Sequence, residues 1–158
     1  MSVVAASSSP AGMRLRALRR RDGRPELLRQ LPLFRGLGSR ALARVAAVTS
    51  DDDATAGEVL CREGGYSKQF LLIVEGYAAT TCAGEPTMLG PGDFCGEASV
   101  IDGGPELRTV TAMTPMRLLV LTPAEFAALT DVPAVGRRLL EAVHRRLRAT
   151  DAALKASP

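Results

Sequence analysis

FLLIVEGYAATTCAGEPTMLGPGDFCGEAS, residues 70–99, contains three short apolar or β-branched runs, 70–75, 77–82 and 87–89. They are parted by Gly76, by Gly84 and by Gly90-Pro91-Gly92. Runs of this length, bounded by glycine and proline, read as β-strands joined by tight turns. The same punctuation continues outward. A run at 58–61 precedes Gly64-Gly65, and runs at 108–113 and 117–122 follow Gly103-Gly104-Pro105. Parallel strands need a crossover of a dozen or more residues, and most of these runs lack the space for one. A sandwich or barrel is therefore expected and a parallel α/β sheet is disfavoured.

The flanks change period. Over 26–48 the apolar residues fall at helical spacings, Leu27, Leu28 and Leu31 and then Leu42, Val45 and Ala46, with Pro32, Gly36 and Gly38 between them. Two short helices with a tight corner follow, the second with Ser39 as a plausible N-cap. Beyond the strands, Thr122-Pro123-Ala124-Glu125 has the spacing of a capping box with proline at the first helical position. A helix through Leu129 should follow it. Asp131-Val132-Pro133 then opens a longer helix with Val135, Leu139, Leu140, Val143 and Leu147 apolar. Leu140, Leu147 and Leu154 are spaced as a short coiled-coil seam, and packing back onto the strands explains the same leucines equally well.

Composition bounds the function classes. The chain has 158 residues, 46% hydrophobic, which suits one domain with a core and leaves no room for two. Lys+Arg 20 against Asp+Glu 17 gives a net charge of +3, but the excess is concentrated at 14–24, where six arginines face only Asp22. The remainder is close to neutral and makes no general case for nucleic-acid binding. Aromatics are 4% with no Trp, so stacking platforms for bases are not expected. Residues 1–12 read as a disordered tail with no signal peptide, and Leu15 and Leu18 among arginines make a short amphipathic helix at best. Cys61, Cys82 and Cys95 fit neither a disulfide framework nor a metal motif, so a reducing cytoplasm is expected.

LPLFRGL (31–37), AGEVLCREG (56–64), FLLIVEG (70–76), LGPGDFCGEAS (89–99) and VTAMTPMRLLVL (110–121), in this order and spacing, resemble the cyclic nucleotide-binding domain family. The likeness runs over about 31–147 and is greatest to short bacterial members and to the sensor half of catabolite-activator-type regulators. It implies a mainly β fold, an eight-stranded antiparallel jelly roll with N-terminal helices and a C-terminal helical lid. The corresponding division is a basic leader at 1–25, helices at 26–50, the jelly roll at 51–122 with a phosphate-binding cassette at 94–112, and helices at 123–154.

The resemblance also implies a ligand, cAMP or cGMP, and a way of holding it. A cyclic phosphodiester carries one negative charge, which a helix N-terminus and a guanidinium can match. Gly96 would let the backbone approach, the amides of Ala98 and Ser99 would face the phosphate, and Glu97 would accept from the ribose 2′-hydroxyl. The family's Pro-Arg-x-Ala-Thr-Val, counted without gaps from Gly96, falls on Pro105-Glu106-Leu107-Arg108-Thr109-Val110. A carboxylate thus stands where the guanidinium is expected. Arg108 is two residues on, and in a strand would share Glu106's face, displaced by roughly 6.6 Å. Arg108 is the candidate phosphate ligand, and Thr109 the candidate hydroxyl contact to phosphate and purine.

Two functions fit these residues. The first is a non-catalytic sensor in which cAMP or cGMP binds Gly96, Glu97, Ala98, Ser99, Arg108 and Thr109, and the C-terminal helix moves, with Val135, Leu139, Leu140 and Val143 as lid contacts. The second is an interaction or dimerisation module whose pocket is filled by Arg108 paired with Glu97 or Glu106, because an inward arginine needs a partner. DNA binding is not expected, since only 151–158 lie beyond the helix core and a helix-turn-helix does not fit there. Enzymatic and metal roles lack their groups. His144 stands alone among arginines, Asp51–Asp53 reads as an acidic triplet at a strand entrance without a calcium loop, and Cys95 reads as a small buried filler. No transmembrane segment is readable.

Overall fold

The computed structural model describes residues 24–156 except Ala83. The tail and most of the basic leader lie outside the described residues. Helix α1 (Arg24–Arg29), a 3-10 turn (Pro32–Phe34) and α2 (Ser39–Val48) precede the strands. These are β1 (Ser50–Ala54), β2 (Val59–Cys61), β3 (Phe70–Glu75), β4 (Ala78–Cys82), β5 (Glu85–Leu89), β6 (Phe94–Cys95), β7 (Val110–Ala112) and β8 (Met116–Leu121). Helix α3 (Glu97–Ile101) sits between β6 and β7, and α4 (Pro123–Thr130) and α5 (Pro133–Ala156) follow β8. Every pairing is antiparallel, in two four-stranded sheets ordered β1-β8-β3-β6 and β2-β7-β4-β5.

Alternation along β3 explains why its sequence is apolar without a break from Phe70 to Val74. Leu71 and Ile73 point between the sheets, into a core with Leu60, Cys61, Ala78, Val110, Leu118 and Val120. Phe70, Leu72 and Val74 point the other way, into a second core with Phe34, Leu42, Val45, Leu119, Leu121, Phe126, Leu129, Val135 and Leu139. The first sheet is thus covered on both faces, by its partner sheet and by the helices, and period-two side chains on a strand buried on both faces give a continuous hydrophobic run. The second sheet has one wet face, and its edge strand β5 is exposed at all but Leu89.

The expected jelly-roll-like architecture is present, with local corrections. Asp51–Asp53 is not at a strand entrance. It lies inside β1, in register with Leu119, Leu118 and Arg117 of β8, and Asp51 and Asp52 are buried. Ser39 is the first helical residue and not the cap. Gly38 takes the extended cap conformation, and its carbonyl accepts from Leu42 N at 3.0 Å. The capping box is as expected. Glu125 N donates to Thr122 Oγ1 at 3.2 Å, and Thr122 N donates to Glu125 Oε1 at 2.9 Å.

Helix α5 returns over the first sheet. Val135 and Leu139 are buried and Val143 packs partly against the same core, whereas Leu140 is 60% exposed. One residue turns the helix by about 100°, which removes Leu140 from the stripe through 135, 139 and 143, so it is not a lid contact. Arg138 anchors the helix by donating from Nη1 to the carbonyls of Leu33 at 3.1 Å and Arg35 at 2.6 Å.

Candidate functional site

The cassette turn is built from the backbone upward. β6 is only two residues long and ends at Cys95, after which Gly96 takes φ +87° and starts α3. A Cβ at Gly96 would lie 2.0 Å from the carbonyl oxygen of Gln69, so this position needs glycine both for its φ and for the approach of β3's leading residue. Ser99, buried in the five-residue α3, accepts from Lys68 N at 2.7 Å. Lys68 itself has φ +51°, so the 67–69 segment is bent to reach the turn.

Glu106 occupies the interior. It is 5% exposed, and Ser67 Oγ donates to its Oε1 at 2.8 Å. Its backbone is held as well: Glu106 N donates to Gly65 O and Gly64 N to Glu106 O, each at 2.8 Å. Burial raises its carboxyl above the ordinary glutamic acid value of 4.5, the nearby Glu97 adds to this, and the Ser67 hydrogen bond opposes it. A folded-state value above the unfolded one means stability that is full at low pH and is lost as pH rises through the raised value. Glu106→Gln keeps an acceptor for Ser67 and removes the charge. The native protein should therefore lose stability relative to this variant as pH rises above 4.5 and through the raised value, as read by urea unfolding. A difference that does not change with pH would contradict the assignment.

Arg108 is differently placed. The strand containing Thr109's neighbour begins at Val110, so 105–109 are irregular and Arg108 does not share a strand face with Glu106. Glu106 is buried, Leu107 is exposed and Arg108 is half-buried. Among the described residues, Arg108 makes no ion pair with Glu97 or Glu106. Thr109 is tied to the scaffold: Glu63 N donates to its Oγ1 at 3.0 Å, and Thr80 Oγ1 donates to its carbonyl at 2.9 Å.

An internal Arg–Glu pair does form, but the arginine is Arg146 of α5. Its Nη1 lies 3.1 Å from Glu97 Oε1, with the side chains 14% and 18% exposed. The guanidinium carbon also sits 3.9 Å above the Phe94 ring centroid, adding a cation–π contact to the charge pair. Glu97, the expected ribose acceptor, is thereby engaged by the C-terminal helix. The candidate residues thus fall into two groups. Gly96, Glu97, Ala98 and Ser99 form one continuous turn joined to Lys68 through Ser99, while Arg108 and Thr109 are not brought onto it by any contact.

Ser67, Phe94 and Arg146 escaped the sequence reading. Arg146 had a readable signal. It continues the α5 stripe of Val135, Leu139 and Val143 at helical spacing, and a charge on a buried stripe requires a partner.

Known proteins share this fold. The model of the cyclic nucleotide-binding domain matches residues 53–131. A cyclic nucleotide-gated potassium channel of Rhizobium etli is 37% identical over 106 residues, 67% of this chain and 30% of the channel. The chain therefore spans about a third of that relative's length. The crystal structure of the Thermus thermophilus catabolite activator protein superposes with TM-score 0.66 at 25% identity, over 78% of this chain and 62% of that one. The regulatory subunit of a cAMP-independent protein kinase A from Trypanosoma brucei shares the fold, with TM-score 0.64 at 24% identity over 78% of this chain and 46% of its own. Among the described residues no helix is long and apolar enough to cross a membrane. The two antiparallel sheets, the Gly-Glu turn carrying α3, the returning C-terminal helix and the matched model agree, and the chain belongs to the cyclic nucleotide-binding domain family.

Proposed function

We propose that this chain is a non-catalytic regulatory domain whose cassette is closed to the cyclic phosphodiester, and that it acts through α5 as an interaction or dimerisation module. The observation that carries this reading is Glu106. A carboxyl group buried and hydrogen-bonded at the place of the family's guanidinium offers an anion repulsion and no counter-charge. Three backbone and side-chain hydrogen bonds hold that residue, so exchanging it for Arg108 would require the 64–67 and 105–108 segments to part. The Arg146–Glu97 contact supports a closed form in which α5 rests on the turn. The fold is compatible with such a role, since one of its bearers is described as cAMP-independent. Residence in the cytoplasm and a protein partner or second copy at α5 belong to this proposal.

A second reading, a cAMP or cGMP sensor using Arg108 and Thr109, is favoured by one observation: Arg108 is half-buried close in sequence to the slot, and neither carboxylate claims it. Calorimetric titration separates the two. The closed module gives no heat of binding with cAMP or cGMP up to millimolar, in the native chain and in Arg108→Ala alike. Micromolar binding that Arg108→Ala abolishes establishes the sensor and overturns the closed module.

A further inference from the structure

We propose that Cys61 and Cys95 are a redox pair, which a small peroxide converts to an intramolecular disulfide that staples the cassette turn to strand β2. Their sulfurs lie 3.2 Å apart, and both thiols are free and buried. The two residues come from different sheets, each the last residue of its strand. Both strands are sheet edges, β2 paired only with β7 and β6 only with β3, and they are three and two residues long. The β2–β7 register also slips between Val59 and Cys61. Short edge strands open locally at little cost, which admits a small oxidant to thiols that the average structure covers.

The chemistry balances with hydrogen peroxide. One thiolate attacks a peroxide oxygen, a sulfur–oxygen bond forms, the oxygen–oxygen bond breaks, and the leaving hydroxide takes a proton to become water. The second sulfur then attacks the sulfenic sulfur, the disulfide forms and a second water leaves, so two thiols are oxidised as one peroxide is reduced. Hydrogen bonding to Cys95 and burial push the Cys61 thiol well above its ordinary value, so its thiolate is scarce at neutral pH. Attack by Cys61 is consequently slow near neutrality and accelerates as pH rises. Cys95 immediately precedes Gly96, so the bond restrains the turn that carries Glu97 whatever that turn binds.

Cys82→Ser of the full chain isolates the pair. After treatment of the folded protein with hydrogen peroxide, thiol titration in denaturant should find both remaining thiols gone. The monomer should be lighter by the mass of two hydrogen atoms, and dithiothreitol should restore both thiols. The native chain should pass from three free thiols to one, and Cys61→Ser or Cys95→Ser should retain Cys82 unlinked in the monomer. Survival of both thiols in the folded Cys82→Ser protein overturns the proposal. Cross-links through Cys82, or between two copies in place of the internal bond, overturn it equally.

Discussion

Exchanging both departures from the family pattern, Glu106→Arg together with Arg108→Ala, should raise cAMP or cGMP affinity at least about a thousandfold, from undetectable at millimolar to micromolar, a gain of about 4 kcal/mol. The double variant reads Pro-Arg-Leu-Ala-Thr-Val at 105–110, which restores the pattern position by position. The gain has two sources. A forked, charge-assisted guanidinium–phosphate contact is among the stronger hydrogen-bonded pairs, and the repulsion from a buried carboxyl beside Glu97 disappears. The same variant should be less stable than the native chain when empty, because Glu97, the carboxylate beside the new arginine, is already paired with Arg146 and Ser67 loses Glu106 as its acceptor. Ligand must then restore stability, by about 2.7 kcal/mol at a hundredfold excess over Kd. A folded double variant whose Tm does not move with millimolar cAMP would refute Glu106 as the element that closes the cassette.

Gly96→Ala should cost about 3 kcal/mol or more and lower the urea midpoint by over about 1 M. Its Cβ would meet the backbone oxygen of Gln69 at 2.0 Å, and a carbonyl flanking β3 cannot retreat as a flexible side chain can. Gly103 is the internal control. It has φ +72° in the same cassette and nothing within 4 Å of an added Cβ, so Gly103→Ala pays only for its backbone conformation, about 1 kcal/mol. Equal losses at the two positions would show that strain in φ, and not the approach of the turn to 69–70, sets the requirement for glycine.

How much of this was legible follows from where each interaction partner lies in the chain. β3 and β8 were readable because burial on both faces writes continuous apolar runs, Phe70–Val74 and Leu118–Leu121. The capping box was readable because its partners are three residues apart. The occupant of the guanidinium position was readable by counting from Gly96. The strand in Asp51–Asp53 was not, since aspartate has little β preference and pairing with β8 supplies the structure. Nor were the long-range contacts around the turn. Ser67 lies 39 residues from Glu106, and Arg146 lies 49 from Glu97. Cys61 and Cys95 are 34 apart, and only the meeting of two sheet edges joins them. Arg108 was read as strand-borne, and the irregular 105–109 segment removes the face-sharing that would have aimed it beside Glu106.

The most direct test follows the backbone amides of Ala98 and Ser99 by NMR while the native chain is titrated with cAMP to millimolar concentration. With Glu106 holding the slot and Arg146 on Glu97, both resonances should stay in place apart from the uniform drift caused by salt. Saturable shifts of these two amides at micromolar ligand would mean that the phosphodiester reaches the turn in spite of Glu106, and the closed cassette would be wrong.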